Sequence, residues 1–426
     1  MERFTGLFGI ALILGIAVLI SNNRKAINLR LVFSGLGLQL LLALFILKTN
    51  IGQLVFGWVG HKIEGLLKMA DKGGEFVFGG LMRPDLLHPI FGDQYSFLFM
   101  FKIMPTIIFV AVLVSIFYHI GIMQRIVSVI ARAVYFLMGV SGSEALSNVA
   151  SAFVGQVEAQ IMIKPYISTM TMSELLASMS GSMACIAGGV MAVYISMGVP
   201  APYLLAASIM AAPASLVIAK IVWPETEESA TKGAVTLEVK KVHANLLDAI
   251  SHGAGDGLKV SLNVIAMLIG FIALIALVNA ILIKLGGYIA LTGANLDFIG
   301  INLNYFTLDS IFGAIFSVFA WAMGVPGPET HVVGSLLGTK LVINEFVAYA
   351  NLAPMIKSNA ISPKALVIVS FALCGFANFS SIAIQVGGIG ELAPSRRKDL
   401  AKLGFKALLC GTLASYLSAT IAGILY

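Results

Sequence analysis

Two glutamates stand in the middle of otherwise apolar sequence: Glu158 in SAFVGQVEAQIMI and Glu345 in KLVINEFVAYANL. An ionised carboxylate at the centre of a hydrocarbon layer is disfavoured by about 2.5–3.5 kcal/mol on insertion scales, so each needs a partner, a proton or a polar substrate. A structural carboxylate held by a lysine or a helix terminus would explain one of them; two at matched places are harder to explain that way. The run Gly375-Phe376-Ala377-Asn378-Phe379-Ser380-Ser381 interrupts a further apolar stretch with one amide and two hydroxyls. Asn378 and Ser381 are three apart and so share a helix face. A lone intramembrane serine usually returns its bond to its own backbone, whereas an amide brings two donors and an acceptor. Carboxylate, amide and hydroxyl on separate elements suit a polyhydroxylated sugar. Phe376 could stack on a planar ring or simply fill space.

These residues sit inside an internal repeat. Residues 137–144 read LMGVSGSE and residues 322–329 read AMGVPGPE. Glu158 lies eighteen residues after Val140, and Glu345 twenty after Val325. Each is followed about 30 residues on by a polar-interrupted apolar helix, GSMACIAGG (181–189) and GFANFSSIAIQVGG (375–388). From Ser143 to Thr169 there are too many polar and small residues for a clean crossing: Asn148, Ser151, Gly155, Gln156, Glu158, Gln160 and Lys164. A hairpin over about 143–170 that turns at Val154-Gly155-Gln156 fits better, and a second over about 330–355 would turn near Ile343-Asn344-Glu345. Backbone that turns at membrane depth must line a cavity or be buried in protein. An odd number of crossings between the copies would insert them in opposite orientations, a known plan of secondary transporters.

The rest of the chain supplies the elements that hold these groups. Of 426 residues 58% are apolar and only 11% charged, against about 25% charged in soluble domains. Apolar blocks at 5–20, 31–47, 104–122, 175–198, 201–222, 260–283 and 405–425 approach or exceed the ~20 residues that span a bilayer. The fold class is therefore an all-α polytopic membrane protein, and the ten-residue alternation of an outer-membrane barrel is absent. A net charge of +6 resides in short loops, not in a patch with interleaved aromatics, so no nucleic acid is expected. Cys185, Cys374 and Cys410 have no CxxC spacing, which argues against disulfides or structural zinc. The six histidines (61, 88, 119, 243, 252, 331) form no metal pattern, and no Walker A, GxSxG or paired-Asp signature occurs. Hence no catalytic residue, metal or organic cofactor is expected.

Loop charges set the orientation. Arg24, Lys25, Arg30, Arg125, Arg132, Lys220, Lys232, Lys240, Lys241, Arg396, Arg397, Lys398 and Lys402 fall on one side, read as cytoplasmic, and only isolated basics such as Lys48 and Lys284 on the other. No small-residue cleavage site follows the first apolar run, so it is read as a retained helix with both termini outside the cytoplasm. Residues 51–92 read as an amphipathic interfacial helix. Residues 223–245 read as a polar linker without an active role. The organisation expected is N-terminal scaffold helices (1–120), a first repeat (121–222), a linker with an amphipathic helix (223–257), a scaffold helix (258–305) and a second repeat (306–426).

The motifs GQVE (155–158), NEFVAY (344–349) and CGFANFSSIAI (374–384), in that order within an inverted repeat, resemble the concentrative nucleoside transporters, most closely their short bacterial members. The resemblance runs the length of the chain. It implies about eight transmembrane helices, two re-entrant hairpins, interfacial helices, a homotrimer in the bacterial inner membrane, and inward movement of nucleosides such as uridine by an elevator motion. It implies that Gly155, Gln156, Val157, Glu158 and Val190 face the nucleobase, while Glu345, Asn378 and Ser381 hold the ribose beside Phe376.

Three departures bear on coupling. Sodium-coupled relatives have Asn where this chain has Ser151, and Ser where it has Cys185; with Val154 and Ile186 these form a degenerate sodium site. Hard cations favour oxygen ligands, so a hydroxyl for a carbonyl and a thiol for a hydroxyl weaken it. Val157 replaces a hydroxyl residue and leaves base selectivity open. Proton coupling through Glu158 or Glu345 is therefore expected, because a carboxyl in a low-dielectric cavity binds its proton more tightly. Sodium coupling, or transport of a nucleobase, is the alternative.

Overall fold

The computed structural model describes residues 2–91, 98–232, 243–292 and 302–426, and most of these residues lie in helices. The chain opens with α1 (Glu2–Leu19), α2 (Leu29–Lys48), α3 (Asn50–Phe78), α4 (Pro84–Phe91) and α5 (Phe99–His119). The first repeat comprises α6 (Ile122–Met138), a hairpin of α7 (Gly142–Ser151), α8 (Glu158–Ile161) and α9 (Lys164–Ile167), then α10 (Met172–Ala184), α11 (Gly188–Ser196) and α12 (Ala201–Val222). After α13 (Leu246–Leu291) the second repeat runs α14 (Leu308–Ala322), α15 (Thr330–Val342), α16 (Glu345–Lys357), α17 (Pro363–Leu373), α18 (Phe379–Leu392) and α19 (Arg397–Leu425).

Among the described residues six spans are long and apolar enough to cross a membrane: α2, α5, the α10–α11 pair, α12, α13 and α19, with shorter apolar helices in α1, α14 and α17. With α1 and the α17–α18 pair they make up the expected set of about eight. They divide by environment. In the span windows, 89% of α12 is buried but only 6% of α13. A helix apolar on all sides and buried is a core element; one apolar and exposed faces lipid or another subunit. α13 meets α5 through Gly253 and Gly257, where a Cβ would stand 2.9 Å from Ala111 O and 2.6 Å from Ile108 Cα. α12 lies at the centre, between α2, α10 and α19.

Local signals explain the boundaries. Gly139, with positive φ, closes α6, and Gly324, also with positive φ, follows α14. Capping boxes open α7 (Ser141 with Glu144) and α10 (Thr171 with Glu174). In such a box two orphan N–H groups are satisfied reciprocally.

The two hairpins approach α12 from opposite ends. The first has its base by the C-terminus of α12: Lys220 Nζ lies 2.7 Å from Glu144 Oε2, and Gly142 N donates to Thr231 O. The second has its base by the other end, with Ile356 of α16 against Gly198 just before α12. α12 is about 33 Å long at 1.5 Å per residue, so the bases are a membrane thickness apart, as inverted repeats require.

Three expectations change. Lys220 is no loop anchor but a buried residue, paired with Glu144 and, at 3.3 Å, Glu225. The linker's described part is not idle: Glu225 accepts from Thr171, and Thr231 and Ser229 donate to Glu174, just past the first hairpin's exit, while Thr231 O accepts from Gly142 N at its entrance. The boundary drawn at 257–258 falls inside α13, one continuous helix from Leu246.

Candidate functional site

The site forms where four breaks in helical structure meet. α10 and α11 are separated by Cys185–Ala187, and α17 and α18 by Cys374–Asn378. Phe376 N donates to Cys185 O at 3.2 Å, joining the two breaks, and Gly188 N donates to Phe153 O at 3.2 Å, joining the first break to the first hairpin's tip. Gly375 makes this possible: its φ is +149°, and a Cβ there would stand 2.8 Å from Ala184 O. Left-handed φ and backbone contact both demand glycine. Cys185 and Cys374, which cap α10 and α17 in the two copies, both meet Ser208 of α12: Cys185 Sγ is 3.9 Å from its carbonyl and Cys374 Sγ is 3.6 Å from its hydroxyl.

Glu345, the first residue of α16, is 5% exposed. Its carboxylate accepts from the Tyr194 hydroxyl at 3.0 Å and from Asn378 Nδ2 at 3.2 Å. Two bonds to a charged acceptor are worth about 1.5–3 kcal/mol each, enough to offset the cost of placing one carboxylate at membrane depth. The three-residue spacing of Asn378 and Ser381 is an N-cap: Asn378 Oδ1 accepts from Ser381 N at 2.9 Å and from Ser380 Oγ at 2.7 Å. The cap leaves Nδ2 to point at Glu345. Asn344 caps α16 in the same manner, accepting from Val347 N at 2.9 Å. The N-termini of two half-helices thus frame the carboxylate, with the partial positive charge such ends carry.

The first hairpin's tip faces α18. Gln156 Oε1 lies 3.4 Å from Gln385 Nε2, and a Cβ on Gly388 would stand 2.7 Å from Val157 Cγ2. Gly155 and Gln156 are half-buried, as are Val190 on α11 and Phe376 in the second break. Glu158 is exposed, its carboxylate folded over Gly155. The two carboxylates thus hold matched positions in the repeat in unlike surroundings, Glu345 buried and bonded and Glu158 open.

Most polar residues of the first hairpin are consumed internally. Asn148 Nδ2 donates to Glu144 O and Ala177 O, and Gln160 is bonded to Ser178 and Ser182. Ser151 donates to Ser147 O at 2.7 Å and lies 3.0 Å from Ser182 Oγ. Val154 and Ile186 are buried. The side chains at positions 151 and 185 therefore turn toward protein partners.

Sequence reasoning missed Tyr194, Gln385 and Lys340. Tyr194 stacks on Tyr349 at 4.2 Å and lies four residues after Val190, one turn along the same face. Gln385 lies four after Ser381, which was the available signal. Lys340, 1% exposed, donates to Ala372 O at 2.7 Å near the end of α17; nothing in its spacing indicated that bond. The structure also brings together His243, Asp248 and His252, which the sequence showed only as unrelated residues.

Inverted repeats, each a hairpin and a broken helix converging on a polar centre, define a secondary transporter. Residues 203–423 match the family described as Na+ dependent nucleoside transporter C-terminus, residues 8–81 its N-terminus, and residues 100–201 a nucleoside recognition (Gate) family. A transporter of Haemophilus influenzae is 43% identical over 100% of this chain and 98% of its own. Nucleoside permease NupC of Helicobacter pylori is 36% identical over 99% and 98%. The transporter CNTnw, solved in an inward-facing substrate-bound state, superposes with a TM-score of 0.92 at 40% identity, covering 100% of this chain and 98% of that one. A variant of it solved in an outward-facing state gives 0.93, again at 40% identity, over 100% and 99%. The chain belongs to the concentrative nucleoside transporter family; it is a multi-pass membrane transporter, not an enzyme.

Proposed function

We propose that this protein imports nucleosides such as uridine across a bacterial inner membrane in symport with protons, as a homotrimer whose hairpin-bearing domain moves like an elevator against α13 and its neighbours. The observation that carries the substrate reading is the buried Glu345 carboxylate held by Asn378 and Tyr194 at 3.2 and 3.0 Å. A carboxylate with an amide beside it at two helix N-termini can exchange these internal bonds for ribose hydroxyls. Ser381 would complete the ribose side. Gly155, Gln156, Val157, Glu158 and Val190 would meet the base, with Phe376 against the rings.

Support for protons over sodium comes from positions 151 and 185. Cys185 presents sulfur, turned toward Ser208, where a hard cation would need oxygen, and the Ser151 hydroxyl is already engaged with Ser147 O and lies 3.0 Å from Ser182 Oγ. Hard-cation sites need such oxygens. Glu158 or Glu345 would carry the proton.

Uptake of radiolabelled uridine by proteoliposomes tests the reading. Accumulation driven by an inward proton gradient without sodium is expected. Uptake that requires sodium and ignores the proton gradient overturns the coupling assignment. Failure to transport any nucleoside, with uracil transported instead, overturns the substrate assignment. Glu158→Gln and Glu345→Gln then locate the proton, since transport by the variant lacking it no longer responds to the gradient.

A further inference from the structure

We propose that His243, Asp248 and His252 form a binding site for a divalent transition metal of the zinc type, on the face that loop charges assign to the cytoplasm. The three residues come from the last turn of the linker and the first two turns of α13. Their ligand atoms all lie within 4.8 Å of one another. His252 Nε2 stands 3.5 Å from Asp248 Oδ1, and His243 Nδ1 3.9 Å from Asp248 Oδ2. Neighbouring ligand atoms of a tetrahedral zinc ion stand about 3.3 Å apart, given bonds of about 2.0–2.1 Å. Small side-chain rotations close the difference.

The surroundings fix two of the ligands. Asp248 is held by its own backbone: its N–H donates to Asn245 Oδ1, and its Oδ2 accepts from Ala244 N at 2.9 Å. Ser115 of α5 donates to Ala249 O at 2.7 Å and lies 3.4 Å from His243 Nε2. With its proton committed, the Ser115 oxygen is left to accept from Nε2–H. That selects the tautomer with a bare Nδ1, facing a carboxylate oxygen. Outer-shell hydrogen bonds of this kind set which nitrogen of a metal-bound histidine is free to ligate. Two lone pairs that face each other across 3.9 Å are what a cation placed between them would bind.

A second feature marks the same place. His119, in the last turn of α5, has a buried Nδ1 without a partner, and its ring centroid is 6.3 Å from that of His243. It is a candidate for the fourth tetrahedral position. Imidazole nitrogens with one carboxylate suit zinc and its first-row neighbours rather than magnesium or calcium, which take oxygen. The bound ion would clamp the exit of the linker onto the α5–α13 pair, joining the segment that follows α12 to the exposed scaffold.

The test uses full-length protein without a histidine tag, purified in detergent and stripped with chelator. Zn2+ is titrated against a chromophoric chelator, with Mg2+ as control. One Zn2+ per chain at micromolar affinity or tighter is expected, with a rise in unfolding temperature that Mg2+ does not produce. The double variant His243→Gln/His252→Gln should lose affinity by about a hundredfold or more, since even outer-shell changes cost about 10–100-fold. His252→Gln alone, at a residue 63% exposed and therefore harmless to folding, should weaken binding at least about tenfold. Uridine uptake in chelator should be unchanged in both variants. Absence of Zn2+ binding, or equal affinity in the variants and the parent, overturns the proposal.

Discussion

The two hairpins begin with nearly the same words, MGVSGSE and MGVPGPE, and are held at opposite ends. The first is fastened at its base by buried charge, Glu144 with Lys220 at 2.7 Å, and at its tip leaves Glu158 exposed. The second has a lighter base, where Glu329 accepts from the N–H and hydroxyl of Ser362, and a tip whose carboxylate, Glu345, is buried and doubly bonded. One copy therefore has its electrostatic weight where the chain enters, the other where substrate would sit. Like sequence placed in inverted copies fixes where helices start and stop. What each copy's charges do depends on the neighbours they meet.

The largest effect is expected at the first hairpin's base. Lys220→Met leaves Glu144 buried without its cation, and breaking one side of a buried pair costs about 3–5 kcal/mol. Thermal unfolding in detergent should show a large drop, largely restored in the double variant Lys220→Met/Glu144→Gln. A small change in the single variant would mean that the base is not a lock. At the second tip, Asn378→Ala removes both the cap of α18, about 1 kcal/mol, and a bond to a carboxylate, about 1.5–3 kcal/mol. Uridine uptake efficiency should fall roughly a hundredfold or more, at 1.4 kcal/mol per tenfold. Tyr194→Phe removes only the hydroxyl from Glu345 and keeps the stacking on Tyr349, so about ten- to a hundredfold is expected. If Tyr194→Phe exceeded Asn378→Ala, the tyrosine and not the amide would be the main support of the carboxylate.

Much of this architecture was legible because it is local. Both hairpins, both breaks and their polar residues follow from short motifs, since caps, glycines with positive φ and interrupted apolar runs act within a few residues. Asn378 and Ser381 were singled out for a shared helix face, whereas the spacing is that of an N-cap. Tertiary choices were not legible. Tyr194 reaches Glu345 across 151 residues, and Lys220 finds Glu144 across 76 positions of chain, 220 less 144. In sequence Lys220 reads as another loop cation. Nor did the pattern tell apart the polar residues of the first hairpin, of which Asn148, Ser151 and Gln160 serve packing and Gly155 and Gln156 stand at the tip.

The smallest effect on stability, and the sharpest on the comparison, is expected from Glu158→Gln. The side chain is exposed and caps nothing, so unfolding should shift by no more than about 0.5 kcal/mol, the range of ordinary surface changes. Glu345→Gln differs in kind. There the buried oxygens are already committed to Tyr194 and Asn378, and an amide nitrogen in place of one oxygen sets two donors against each other. Measured side by side, Glu345→Gln should lower both the unfolding temperature and uptake, whereas Glu158→Gln lowers uptake alone. Equal destabilisation by the two changes would show that the hairpin tips are held alike and that the asymmetry between them does not survive in the membrane.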